Sequence, residues 1–177
     1  MPKRSKKQIE NDETKILKEL EKNANKSINE IAKKCGFSRQ KVWRIIKRLE
    51  KNNTIWGYIT IVDNEILGYG SFILLIKRTT KPISKEIVDL ITKRKLEKTA
   101  EKLNVIIMCS QYLNGEYDWC IHFNARDIKH AKKFVEGFTV TYQDYVKEIK
   151  LLEEIFPIKK CGIPNPDIEN LKDFSPE

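Results

Sequence analysis

The sequence has few residues of the kinds that build metal, redox or phosphate-loop sites. It holds two histidines and four cysteines in 177 residues, and no two cysteines form a C-x-x-C pair, so a structural zinc site is not expected. Its seven glycines are scattered, and no apolar run is long enough to cross a bilayer. No apolar stretch follows the basic N-terminal residues, as it would in a secretory leader. We therefore expect a cytoplasmic protein without a metal, a cofactor or a catalytic triad, whose thiols stay reduced.

The excess positive charge is confined to one part of the chain. Residues 1–57 contain 16 lysines and arginines against 7 acidic residues, whereas residues 58–177 contain 18 of each. The net charge of +9 thus belongs entirely to the first third, beginning with a basic arm over residues 1–7. A basic region joined to a neutral one predicts a polyanion-binding domain coupled to a second domain. Its apolar residues follow the pattern of a globular core, which favours nucleic acid over a membrane surface.

Three helices are predicted in the basic region, over residues 8–23, 27–35 and 38–52. Ser27 and Glu30 form a capping box at the start of the second helix. Gly36 suits the turn that follows because it accepts a positive φ, and Ser38 caps the third helix. Asn53 is suited to a left-handed cap at the end of that helix. This spacing predicts a helix-turn-helix.

The third helix has one apolar side and one basic side. The apolar stripe follows the i, i+3, i+4, i+7 pattern of a buried face and consists of Val42, Ile45, Ile46 and Leu49. The basic side has no acidic residue before Glu50, so it lacks the i,i+4 ion pairs of ordinary surface helices. Arginine and glutamine can make bidentate contacts with guanine and adenine. The predicted DNA-binding residues are Ser38, Arg39, Gln40, Lys41, Trp43, Arg44, Lys47 and Arg48.

The rest of the chain alternates strand and helix patterns. A β-rich segment over 55–62 predicts a strand that leads into a second domain. That domain has strands over 70–78, 105–113, 117–124 and 144–156, one or two helices over 84–103 and a helix from 127 to 137; Asn114-Gly115 is a strong two-residue hairpin signal. The order is that of a ferredoxin-like βαββαβ fold. Helices would cover one face of its sheet, and a second copy of the chain the other.

These motifs resemble those of the Lrp/AsnC family of transcriptional regulators, and of its archaeal members in particular. The resemblance rests on KILKEL, on SINEIAKKCGFSRQKVWRIIKRLEKNNTI, on GYITIVDNEILGY and on LNGEYDWCIHFNARD, and it spans residues 8–158. It implies an α+β chain with a winged-type helix-turn-helix domain and a ferredoxin-like domain of the RAM type. The predicted division is 1–54 for DNA binding, 55–69 for a linker strand, 70–158 for dimerisation and sensing, and 159–177 for a C-terminal extension.

The resemblance also implies partners. It implies a homodimer that binds a palindromic DNA site, with tetramers and octamers as further assemblies, and an amino acid or similar effector held by Gly115, Tyr117 and Asp118. The chain departs from the family pattern at Asn53, where glycine is usual, and at Ile45, where arginine is common. The segment over 79–104 and the tail over 159–177 are also longer than usual.

Three alternatives remain open at this stage. Residues 114–118 are, on the plainest interpretation, only a tight hairpin. Asp118, Cys120 and His122 share one face of a strand and are metal-ligand types, but no further ligand lies nearby in the sequence, so no metal is expected. For the whole chain, a tetrapyrrole decarboxylase of the same architecture and a non-specific architectural DNA-binding protein are the competing functions.

Overall fold

The computed structural model describes residues 5–174, so Lys3 and Arg4 of the basic arm and the last three residues of the tail lie outside it. The chain separates into two compact units, one ending at Ile61 and the other beginning at Val62. Within residues 5–174, no helix combines the length and the apolar character that a membrane span requires.

The first unit is a three-helix bundle, with α1 over Lys6–Lys22, α2 over Ile28–Cys35 and α3 over Arg39–Lys51. All three predicted helices are confirmed. Each begins at a serine whose hydroxyl accepts a backbone N–H, namely Ser5, Ser27 and Ser38. The core is formed by one apolar side from each helix and contains Ile16, Ile31, Ala32, Val42, Ile45 and Leu49. Ile45 is thus a core residue, as its place in the apolar stripe predicts.

Two left-handed residues set the ends of the helix-turn-helix. Gly36 has φ 68° and ends α2, and the Phe37 amide donates to the Ala32 carbonyl at 2.9 Å. Asn53 has φ 56°. The Thr54 amide donates to the Leu49 carbonyl at 2.9 Å and the Asn53 amide to the Glu50 carbonyl at 3.2 Å. This pair of bonds is a Schellman motif, so the predicted cap at Asn53 is confirmed.

The predicted strand over 55–62 is wrong for the single chain. Between α3 and Gly70 the structure contains no strand, and the segment over 55–62 has no regular secondary structure, with Trp56 95% exposed and Ile59 65% exposed. A high β propensity reflects how well side chains fit a pleated surface, and a strand requires a hydrogen-bonding neighbour. No neighbouring strand lies beside this segment in the part of the chain that the structure describes.

The second unit confirms the βαββαβ order. Its elements are β1 (Gly70–Arg78), α4 (Lys85–Thr92), α5 (Lys95–Lys102), β2 (Ile106–Tyr112), β3 (Trp119–Ala125), α6 (Ile128–Tyr142) and β4 (Val146–Glu153). The sheet order is β2-β3-β1-β4, and every adjacent pair is antiparallel. The helices pack on the inner face of the sheet, where Phe72 is opposite Phe123 with ring centroids 5.6 Å apart.

The hairpin between β2 and β3 forms, but the predicted two-residue turn at Asn114-Gly115 is wrong. The strands stop at Tyr112 and Trp119, which are paired, so six residues form the loop. A type I′ turn needs positive φ at both central residues, and neither Asn114 nor Gly115 has one. The Leu113 amide instead donates to the Asp118 carbonyl at 2.8 Å.

The structure extends one predicted helix, α6, and locates the break between α4 and α5. Helix α6 does not stop at Gly137 but continues to Tyr142. It continues because Phe138 and Tyr142 are buried edge-on against Trp119, with centroids 5.5 and 5.8 Å from it. The segment over 84–103 forms two helices, which was one of the two predicted alternatives, and the break is Arg94, which has φ 51°.

The opposite face of the sheet, which we call the outer face, is the one that α4, α5 and α6 leave uncovered. Ile106 and Leu152 lie on it with 45% and 47% of their surface exposed, and Ile73 is opposite Leu152 in the register. After β4 the tail adds a small hairpin of β5 (Lys159–Lys160) and β6 (Ile163–Pro164) and a 3₁₀ helix over Ile168–Phe174. Lys160 forms an ion pair with Glu154 at 3.1 Å.

Candidate nucleic-acid interface

The N-terminal half of α3 presents a group of exposed polar and aromatic side chains. Arg39, Gln40 and Arg44 are exposed, and Trp43 is 50% exposed. The Arg44 Nε donates to the Gln40 carbonyl at 3.3 Å. Among the described residues, neither Arg39 nor Arg44 has a carboxylate partner. Their charge is therefore available to an external anion.

Two of the predicted DNA-binding residues are directed towards α1 instead. The Lys41 Nζ lies 2.7 Å from a carboxylate oxygen of Asp12 and 3.4 Å from the centroid of the Phe37 ring. Arg48 contacts Glu13, with one carboxylate oxygen 3.0 Å from Nε and 2.8 Å from a terminal nitrogen. Both cations connect α3 to α1. We call Lys41–Asp12 and Arg48–Glu13 the α1 tethers.

Lys47 has an acidic partner within its own helix. Its Nζ donates to Glu50 at 2.8 Å, and the Tyr58 hydroxyl donates to the other oxygen of that carboxylate at 3.2 Å. These bonds, with Lys47 the stronger cause, lower the pKa of Glu50. Lys47 is exposed and Glu50 is half-buried, so solvent screens part of this ion pair and weakens it.

Ser38 acts first as a helix cap. Its Oγ accepts the backbone N–H of Lys41 at 3.3 Å. No acidic residue lies in the first turn of α3, so nothing in that turn offsets the positive end of the helix dipole. Arg39, Gln40, Trp43 and Arg44 therefore stand at an end of the helix that already favours an anion.

The sequence did not identify Asp12 and Glu13 as part of this interface. Glu13 meets Arg48 across 35 positions of the chain, and no local spacing rule reports such a contact. The available signal is weak: two adjacent acidic residues lie in a helix of a strongly basic region. Asp12 and Glu13 hold Lys41 and Arg48, whereas Arg39 and Arg44 have no carboxylate partner among the described residues.

The predicted effector residues lie in the loop between β2 and β3. One carboxylate oxygen of Asp118 accepts the Arg78 amide at 2.8 Å, and the Asp118 amide donates to the Ile76 carbonyl at 2.9 Å. The Lys150 ammonium lies 5.4 Å from the centroid of the Tyr117 ring. A Cβ added at Gly115 would meet no atom within 4 Å. The three residues thus lie in one loop, and Asp118 holds the end of β1 through its carboxylate and its amide.

Side chains suited to metal binding do not converge in the described part of the chain. No group of three or more His, Cys, Asp or Glu residues is arranged to hold an ion within residues 5–174. His122 has its Nε2 3.9 Å from a carboxylate oxygen of Glu154.

Known proteins similar to this chain are DNA-binding regulators. Residues 12–55 match the family described as winged helix-turn-helix DNA-binding. An HTH-type transcriptional regulator of Pyrococcus abyssi is 30% identical over 124 residues, which cover 70% of this chain and 77% of that protein. These relatives favour a regulator over a tetrapyrrole decarboxylase.

Solved structures share the fold at lower identity. A feast or famine regulatory protein of Mycobacterium tuberculosis, crystallised with L-methionine, aligns over 86% of this chain and 95% of its own at 14% identity and a TM-score of 0.66. A Neisseria meningitidis transcriptional regulator in complex with L-Met aligns over 84% and 91% at 18% identity, with a TM-score of 0.63.

Proposed function

Because the chain belongs to the Lrp/AsnC family of helix-turn-helix transcriptional regulators, we propose that it is a sequence-specific regulator that binds a palindromic duplex site as a dimer. The observation that carries this proposal is the free group of Arg39, Gln40 and Arg44 at the N-terminal half of α3. The N-terminal residues of a recognition helix are those that contact base edges in the major groove. Lys47 and Ser38 flank this group, and Trp43 adds a flat apolar contact.

Selecting duplex DNA from a random pool with the full chain tests this proposal. We expect one enriched motif with two related half-sites about one helical turn apart. Repeating the selection with Arg39→Ala and Gln40→Ala should relax individual positions of the motif. Enrichment of no motif, combined with tight binding to every duplex, would instead identify a non-specific architectural protein.

The dimer is supported by exposed apolar side chains on the outer face of the sheet. Ile106, Met108 and Leu152 are each 44–47% exposed there or at its edge, and a face of this kind is buried in a stable assembly. The segment over 55–62 adds exposed β-forming residues without a strand partner in residues 5–174. We therefore propose that two copies associate through their outer faces.

Sedimentation equilibrium tests the dimer. The full chain should behave as a dimer, and Leu152→Glu should shift it towards a monomer because it places a charge within the proposed interface. Val140→Glu, at a residue 72% exposed on α6, is the matched control and should remain dimeric. A full chain that sediments as a monomer at every concentration would disprove the association.

We further propose that a small effector of the amino-acid class modulates DNA binding. Two proteins of the same fold have been crystallised with L-methionine. The loop that carries Gly115, Tyr117 and Asp118 is the position that the family resemblance implies. Selection of DNA with and without amino acids tests the proposal through a change in the enriched motif or in the affinity for it.

A further inference from the structure

Beyond β4 the chain forms a small folded segment over residues 155–174, which we call the C-terminal arm. It contains the β5–β6 hairpin and the 3₁₀ helix over Ile168–Phe174. We propose that the C-terminal arm of each copy packs against the second copy of the chain and forms part of the dimer interface. This inference rests on the proposed dimer, and it assigns a role to a segment that the proposed DNA and effector sites do not use.

The C-terminal arm has a defined internal geometry. Cys161 and Gly162 connect β5 to β6, and their φ values are 45° and 85°. Positive φ at both central residues is what a two-residue type I′ hairpin turn requires. At the end of the arm the Phe174 ring lies against the Phe156 ring, with centroids 5.6 Å apart. The two phenylalanines connect the end of the arm to its start, so the arm is a closed element with its own fold.

The C-terminal arm presents more apolar surface than it can bury. No residue over 155–174 is buried, and a two-stranded hairpin by itself is at best marginally stable in water. Exposed apolar residues that are concentrated in one place, rather than scattered singly, mark interaction sites. Six large apolar side chains of the arm are between 37% and 73% exposed, namely Ile155, Ile158, Ile163, Ile168, Leu171 and Phe174. The arm therefore requires a further surface to cover it.

The C-terminal arm begins beside the outer face of the sheet. Strand β4 is at the edge of the sheet, and its Leu152, on the outer face, is followed three residues later by Ile155, which is 73% exposed. One carboxylate oxygen of Glu154 lies 3.9 Å from the Nε2 of His122 on the outer face, and the other lies 3.1 Å from the Nζ of Lys160 in β5. Glu154 thus connects the hairpin of the arm to the face that we assign to the dimer.

The outer face by itself offers little apolar surface for a stable dimer. Glu148 and Lys150 alternate with buried-face residues along β4 in step with Leu152, so they lie on the outer face with it. A stable interface between two proteins buries about 800 Å² on each partner, and its centre is depleted of charged residues. The exposed apolar side chains of the C-terminal arm supply the missing surface next to this face. A second copy is the partner they fit, because a two-fold axis would bring two arms and two outer faces together.

Sedimentation equilibrium of the full chain and of a chain ending at Glu154 tests the role of the C-terminal arm. We expect removal of residues 155–177 to raise the dissociation constant of the dimer by at least about tenfold. Ile155→Glu and Ile158→Glu change side chains that are 73% and 60% exposed, so neither substitution disturbs a packed core. Each should raise the dissociation constant by about tenfold or more, while the circular dichroism spectrum stays that of the wild type.

Matched variants separate the competing outcomes. Val140→Glu makes the same change at a residue of α6 that is 72% exposed, and it should dimerise as the wild type does. Wild-type dimer affinity in the truncated chain and in both substitutions would overturn the role of the arm and leave the dimer through the outer faces in place. Tetramers of the full chain that truncation reduces to dimers of unchanged affinity would place the arm between dimers, and would also overturn the inference. A full chain that is monomeric at every concentration would disprove the dimer and the role of the arm together.

Discussion

The exposed sides of α3 and α5 differ in the sign of their unpaired charge. On α3 the free charges, Arg39 and Arg44, have one sign, and the acidic residues nearby hold other cations of the helix in place. On α5 the exposed Lys98 and Glu101 have opposite signs, and neither forms an ion pair among residues 5–174. A surface with free charge of one sign is complementary to a polyanion such as DNA. A helix surface that mixes both signs has no such complementarity and is typical of a solvated face.

The largest expected effect concerns the stability of the second unit, which is compared with that of the unit containing α3. Phe123 is fully buried, 5.6 Å from the Phe72 ring and 4.9 Å from the Phe134 ring. We expect Phe123→Ala to lower the free energy of unfolding of the second unit by about 3–5 kcal/mol because it leaves a cavity. Chemical denaturation followed by tryptophan fluorescence measures this, with Val140→Ala as an exposed control that should change it by less than about 0.5 kcal/mol.

Phe123→Ala should destabilise the second unit but not the first. The first unit has its own core, so its helical signal in circular dichroism should persist when the second unit unfolds. Simultaneous loss of both signals in Phe123→Ala at low denaturant would show that the two regions are not independent in stability.

The next effect concerns the free cations of α3. We expect Arg44→Ala to weaken DNA binding by about 1–3 kcal/mol if the side chain reads a base, while L-methionine binding stays unchanged. Fluorescence anisotropy with the selected duplex and with a scrambled duplex measures this. Lys85→Ala, which removes a cation from the second unit, is the control and should leave DNA affinity near the wild-type value. An equal loss of affinity on both duplexes would assign Arg44 to phosphate contact rather than to base reading.

A smaller effect should distinguish the tethered cations from the free ones. Arg48 is 46% exposed and paired with Glu13, so Arg48→Ala should cost about 0.2–1 kcal/mol of unfolding free energy. DNA affinity falls with salt, and a plot of log affinity against log salt gives a slope. Lys51 has no ion pair with α1 among residues 5–174, and if it binds a phosphate, Lys51→Ala should change this slope more than Arg48→Ala does. Removing one cation that neutralises a phosphate reduces the magnitude of that slope by about 0.9. Titrations at several salt concentrations measure both slopes.

The smallest effect concerns pH. Hydrogen bonds from Lys26, and then from Lys22, lower the pKa of Glu19 from its ordinary 4.5 to about 2. A lowered carboxyl pKa contributes stability that is present above the unfolded pKa and is lost as the pH falls through the folded one. Glu19→Gln should therefore be less stable than the wild type at neutral pH, and the difference should shrink between pH 4.5 and about 2. Glu21→Gln, at an exposed acid without an ion pair in residues 5–174, should show no such trend in thermal melts.

Features set by neighbouring residues were predictable from the sequence. The capping box at Ser27 and Glu30, the positive φ of Gly36 and the Schellman cap at Asn53 all depend on a few adjacent positions. The βαββαβ order was predictable as well, because each element has a strong apolar pattern. The family and its helix-turn-helix were thus recognisable before the structure.

Features that depend on distant partners were not predictable. The segment over 55–62 has the composition of a strand but no strand beside it in the described chain. Lys41 and Arg48 have the pattern of DNA contacts, yet Asp12 and Glu13 bind them across long sequence separations. The charges of α5 are visible in the sequence, but the left-handed Arg94 that separates it from α4 is not.

The α1 tethers have a consequence for the thermodynamics of recognition. Lysine and arginine side chains lose considerable rotamer entropy when they are ordered, and binding normally bears that cost at the interface. Lys41 near the start of α3 and Arg48 near its end are already ordered in the free protein. The orientation of α3 is therefore fixed during folding, and association with DNA has less disorder to remove. Helix α1 can thus influence which operator is chosen without contacting a base, because it sets the angle at which α3 is presented.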